Sequence, residues 1–96
     1  MERQEPKSIG DVLRQTLQEQ GLTDRLYETR AIALWPSVAG EEIAAQSSRP
    51  YVDKGVMTIH VRNASLRQEL NMSRSSILRI INEMLGRDTI KELYFR

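Results

Sequence analysis

The chain of 96 residues is long enough for one domain and too short for two. Its hydrophobic content of 40% is enough for a single core, and the absence of cysteine excludes disulfides and thiolate metal sites. Fourteen basic residues against thirteen acidic ones leave a formal net charge of +1, so attraction to a polyanion must come from uneven placement of charge.

The amino terminus is polar, has no apolar signal core, and reads as a disordered arm over residues 1–7. No run approaches the ~18 apolar residues of a membrane span, so a cytoplasmic protein without a membrane partner is expected. Residues 8–96 are expected to form one domain. Ser8 with Asp11 makes a capping box for a first helix carrying Ile9, Val12, Leu13 and Leu17, and Gly21 supplies a left-handed stop. Thr23 or Asp24 then caps a second helix carrying Leu26, Tyr27, Ala31, Leu34 and Trp35. Pro36 removes a backbone donor and crowds the carbonyl of Ile32, which predicts a bend followed by a new short segment to Gly40. Glu41 to Gln46 reads as a last helical turn.

From Arg49 the period changes from helical to alternating. Residues 49–53 predict a short strand, Asp53-Lys54-Gly55 a tight turn, and residues 56–62 a half-buried strand with Met57, Ile59 and Val61 on one face. Asn63 to Leu85 is helical, with Leu66, Leu70, Ile77, Ile81 and Met84 close to one line. Unbroken, that helix would span about 30 Å, longer than a seven-residue strand at roughly 23 Å. The polar run Asn71–Ser76 is therefore either a break between two helices or an overhang. Gly86 ends the helix, and residues 90–96 predict a closing strand. The fold class expected is α+β, in the order α-α-β-β-α(α)-β. Helices pack on one face of a small three-stranded mixed sheet whose last strand arrives parallel by a right-handed crossover.

The residues needed for catalysis are lacking. His60 is the only histidine and has no carboxylate close in sequence, so neither a metal site nor a hydrolytic triad is expected. The five glycines are dispersed at element ends and form no phosphate-cradling loop. No enzyme activity, cofactor or small-molecule substrate is expected. The feature that remains is a local excess of arginine. Between His60 and Ile80, Arg62, Arg67, Arg74 and Arg79 face one acid, Glu69, which with Lys54 makes a candidate nucleic-acid surface. Arg67 and Arg74 share a flank of the helix, whereas Arg79 points away. Trp35 reads as core, Met57, Met72 and Met84 as packing residues, and Tyr51 and Tyr94 as strand aromatics able to stack on a base if exposed.

The run Trp35-Pro36-Ser37-Val38-Ala39-Gly40-Glu41-Glu42-Ile43-Ala44 has the spacing W-x-x-V-x-G-x-x-I-A. It is followed by Pro50, Val52, Gly55, the alternating Met57, Ile59 and Val61, then Arg67-Gln68-Glu69-Leu70, Ile77-Leu78 and Ile81-Asn82. This ordered set, over about residues 8–96, resembles the DciA family of bacterial proteins (domain-of-unknown-function family 721). Trp35, Pro36, Gly40 and Gly55 are its structural marks here. The resemblance implies a KH-like fold and an accessory role with the replicative DNA helicase, with contact to single-stranded DNA. A KH-like RNA-binding module and a protein–protein adaptor without nucleic-acid contact are the alternatives. The Gly-x-x-Gly loop with which KH domains clamp nucleotides is replaced by Asn71–Ser76. Many family members carry a long basic extension beside this module; residues 8–96 are expected to be the folded module alone.

Overall fold

The computed structural model describes residues 8–19 and 21–96. The expected arm at residues 1–7 lies outside them, and the Leu17 side chain lies outside the described side chains. Eight elements follow in chain order: α1 (Ile9–Glu19), α2 (Leu22–Ala39), α3 (Glu41–Ala45), β1 (Tyr51–Asp53), β2 (Val56–Ile59), α4 (Ala64–Met72), α5 (Arg74–Leu85) and β3 (Glu92–Phe95). The strands form one mixed sheet in the order β1-β2-β3. β1 pairs antiparallel with β2 and β3 parallel with β2, so the closing strand returns as expected from a helical crossover.

Alternation along the strands divides the sheet into two faces. Met57, Ile59, Val61, Leu93 and Phe95 are buried and form one cluster with Ala31 and Trp35 of α2, Leu70 of α4 and Ile81 of α5. All helical contributions to the core therefore come from one side. Each large apolar side chain in that cluster contributes roughly 1.5–3 kcal/mol. α1 stands apart: among the described residues it touches α2 and no other element, and Ile9, Val12 and Leu13 are exposed.

The structure corrects three local expectations. The second helix starts at Leu22 without a side-chain cap and runs unbroken through Pro36 to Ala39. Pro36 is exposed, and the ladder resumes when the Gly40 N–H donates to its carbonyl at 2.9 Å. The cost of an internal proline, about 3 kcal/mol, is offset by its neighbour Trp35, which is buried and whose indole N–H donates to Ser47 Oγ at 2.9 Å. Second, Leu26, Met72 and Met84 are exposed rather than packed. The long helical segment breaks at Ser73, whose φ of −100° and ψ of 11° depart from helix geometry, so the stripe drawn for one straight helix loses its phase before Met84. Third, residues 49 and 50 lie outside β1. The β1–β2 register, with Tyr51 opposite Thr58, is offset by one from the Ser47–Val61 bridge, so an extra residue is accommodated before Tyr51.

The hairpin turn is set by backbone conformation. Lys54 and Gly55 both have positive φ, 51° and 84°, as a two-residue type I′ connection requires. A Cβ at Gly55 would also meet Lys91 Cγ at 3.0 Å, and its N–H donates to Glu28 Oε2 at 2.9 Å, tying the turn to α2.

Two asparagines, one on each crossover helix, hold β3. The sheet-facing N–H of Arg96 donates to Ile59 O, so the Phe95 backbone groups point away from β2. Asn71 meets them both: its Oδ1 accepts from Phe95 N–H at 3.2 Å and its Nδ2 donates to Phe95 O at 3.0 Å. The buried Asn82 does the same upstream, accepting from Thr89 N–H at 3.1 Å and Ile90 N–H at 2.9 Å and donating to Ile90 O at 2.9 Å. Asn71 thereby pairs the outer edge of β3 at Phe95, and Asn82 pairs the approach to the strand at Thr89 and Ile90.

Candidate nucleic-acid interface

The five basic residues singled out in the sequence do not form one patch. Arg62 follows β2 at the carboxyl end of the sheet, where its guanidinium donates to Ala45 O at 2.8 Å. Arg67 turns inward, half-buried, and donates to Val61 O at 2.8 Å, so it ties the start of α4 to the end of β2. Arg74 opens α5 just after the break, exposed, with its guanidinium 5.5 Å from the centre of the Tyr94 ring. Arg79 is five residues further on, about 140° round the same helix, and lines a different hollow with Gly86, Arg87 and Asp88. Lys54 sits in the β1–β2 turn, roughly 20 Å of strand from Arg62.

Arg96, at the carboxyl end of β3, is absent from the sequence-derived set. Its guanidinium lies 5.0 Å from the same Tyr94 ring, so two cations flank one aromatic. No local pattern links Arg74 to Arg96; only the crossover brings them together. The carboxyl ends of β2 and β3 thus gather Arg62, Arg74, Arg96 and the exposed His60, with Arg67 beneath them.

The solvent face of the sheet connects to this basic end. Register places Tyr51, Thr58 and Tyr94 in one row across all three strands, with Asp53, Val56 and Glu92 in the next. Tyr51 is 63% exposed. The Tyr94 hydroxyl donates to the Glu92 carboxylate, and that negative neighbour pushes the phenol above its ordinary value of 10.0. Tyr94 therefore stays neutral across the physiological range.

The motif residues are accounted for by packing. Trp35 lies against Phe95, with ring centroids 5.7 Å apart, and Val38, Ala39 and Ile43 of the same run pack on the core. Gly40, at φ 90°, lets the chain pass from α2 into α3. Among the described residues no group of acids and histidine could hold a metal, and no helix is long and apolar enough to cross a membrane.

A family model described as Dna[CI] antecedent, DciA, matches residues 8–95. The chain belongs to the DciA family. It is similar to a UPF0232 protein of Mycolicibacterium smegmatis, 25% identical over 89 residues covering 93% of this chain and 46% of the relative. A second protein of that species, named for the recF–gyrB intergenic region, matches at the same identity and coverage. A UPF0232 protein of Rhodococcus jostii is 24% identical over 93% of this chain and 47% of its own length. The chain spans about half the length of the curated relatives it matches. In this DciA-family chain the W-x-x-V-x-G-x-x-I-A run forms the end of α2, the turn at Gly40 and α3.

Proposed function

We propose that this DciA-family chain is a non-enzymatic accessory module of DNA replication that engages the replicative helicase and contacts single-stranded DNA weakly. The family match over nearly the whole chain carries the helicase assignment. The name of the M. smegmatis relative, which places it between recF and gyrB, agrees with a replication setting. The DNA contact is supported by the convergence of Arg62, Arg74 and Arg96 at one end of a sheet in a chain of almost zero net charge. Arg67 supports that end from beneath, while Arg79 and Lys54 lie outside it. The exposed apolar stripe of α1, Ile9, Val12 and Leu13, is the surface offered to the protein partner.

Affinity capture from host lysate, with and without nuclease, tests the first part: helicase recovery that survives nuclease supports direct contact, and recovery abolished by nuclease overturns it. For the second, replacing Arg62, Arg74 and Arg96 by glutamate is expected to remove most single-strand affinity. It should also flatten the dependence of log affinity on log salt, by roughly 0.7 for each phosphate that is no longer neutralised. An unchanged slope would refute the arginine assignment. The adaptor reading without nucleic acid would be favoured by helicase capture together with no oligonucleotide binding at low salt.

A further inference from the structure

The core occupies one face of the sheet, and the arginine cluster marks one end of it. The opposite face has its own composition. Its central row reads Tyr51, Thr58, Tyr94, a flat strip of two aromatics either side of a small residue, with the tyrosine backbones two strand spacings apart, roughly 10 Å. The Tyr51 side chain has no hydrogen bond or ring contact among the described residues and is largely bare. On Tyr94 the guanidinium groups of Arg74 and Arg96 lie at 5.5 and 5.0 Å from the ring centre, and neither makes a side-chain hydrogen bond or ion pair among the described residues. A guanidinium engaged through its face keeps its N–H donors at its rim, free for a phosphate, and its outer plane can itself carry a base.

Charge along the strands gives this face a direction. The row nearer the hairpin turn carries Asp53 and Glu92, and the carboxyl end carries His60, Arg74 and Arg96. A polyanion lying across the tyrosine row would hold its phosphates toward the basic end and away from the two carboxylates. An acidic peptide would satisfy the charge but leave the bare Tyr51 ring without a flat partner. Unpaired bases satisfy both.

We infer that the solvent face of the sheet is a base-stacking platform for single-stranded DNA, with Tyr51 under a base and Arg74 and Arg96, held at the Tyr94 ring, at the phosphates. This rests on the proposed DNA contact and adds to it the surface, the contact chemistry and the orientation. It differs from the groove beside a glycine loop, which this chain lacks.

The full chain is titrated with a fluorescent oligothymidylate about twelve nucleotides long, a matched oligouridylate, and an abasic strand of equal length that keeps the phosphates. Tyr51→Ala is expected to weaken thymidylate binding about tenfold or more while leaving the salt slope unchanged. Tyr51→Phe should bind as the parent does, and the abasic strand should bind as weakly to the parent as thymidylate does to Tyr51→Ala. Because Tyr51 is exposed, an unaltered Trp35 emission confirms that each variant is folded. If Tyr51→Ala binds like the parent while Arg74→Glu and Arg96→Glu lose affinity, the platform is refuted and the arginine reading stands. If the parent binds none of the strands, both fall. Tyr51-dependent binding confined to oligouridylate would overturn the assignment to DNA.

Discussion

Single side chains set the ends of elements in this molecule, and Ser8 shows how. Its hydroxyl accepts the Asp11 N–H at 3.1 Å, and in return the Ser8 hydroxyl and backbone N–H stabilise the Asp11 carboxylate. The Ser8 hydroxyl is the largest cause holding Asp11 below its ordinary 3.8, and Arg14, at 2.9 Å, adds to it. A carboxylate whose folded value is depressed stabilises the fold above its unfolded value, and that contribution is lost as pH falls through the lowered one. The α1 cap is therefore complete at neutral pH and weakens on acidification below about pH 4. Ser8→Ala should move the Asp11 midpoint up toward 3.8 in a carboxyl NMR titration and reduce amide protection in the first turn of α1. An unmoved midpoint would show that Arg14 alone sets it. This pair is legible in the sequence because capping is local: donor and acceptor lie three residues apart. Arg67 is not, because its partner, Val61 O, is fixed only when α4 turns back on β2.

At the scale of elements, local patterns predict the helices, the strands and their order, and they fail where two elements meet. Pro36 reads as a helix breaker on local rules, yet α2 continues because Trp35 and Ala31 are fixed in the core on either side of the missing hydrogen bond. The break at Ser73 is visible in the sequence as a mismatch of lengths and a polar run, which leave a break and an overhang equally open. Asn82 reads as an ordinary polar residue on α5, and nothing local shows it facing β3. Its amide satisfies two N–H groups and a carbonyl of residues 89 and 90, both buried. Asn82→Ala would leave those buried groups unpaired, at about 1–3 kcal/mol for each unsatisfied group, so a total loss of roughly 3 kcal/mol or more is expected in urea denaturation. Asn71→Ala removes a similar pair of bonds at the half-buried end of β3, where water can replace them. Its loss should be nearer 1 kcal/mol. Equal losses at the two positions would mean that edge pairing, rather than burial, sets the cost.

The whole molecule separates what folds the chain from what the chain presents. The core draws on α2, α4, α5 and the sheet, and α1 adds no buried side chain among its described residues. In the sequence, Ile9, Val12 and Leu13 recur at helical spacing. Periodicity shows that one side of a helix is apolar, but a stripe reads the same whether it meets its own core or another protein. The two cases differ in what charge does to them. Introducing Ile9→Asp and Leu13→Asp into a core helix would cost several kcal/mol, and a chain of this length loses about 4–8 °C of Tm for each 1 kcal/mol. On an exposed face the same changes stay within about 0.5 kcal/mol each, a shift of at most about 4–8 °C in all. Thermal unfolding followed through Trp35 emission is expected to fall by that smaller amount, with cooperativity retained. Recovery of the replicative helicase in affinity capture should drop sharply in the same variant. A large fall in Tm would return α1 to the core, and unchanged recovery would move the partner surface elsewhere. The two readouts are independent because Trp35 reports on the cluster beneath the sheet, and among the described residues α1 reaches that cluster only through α2.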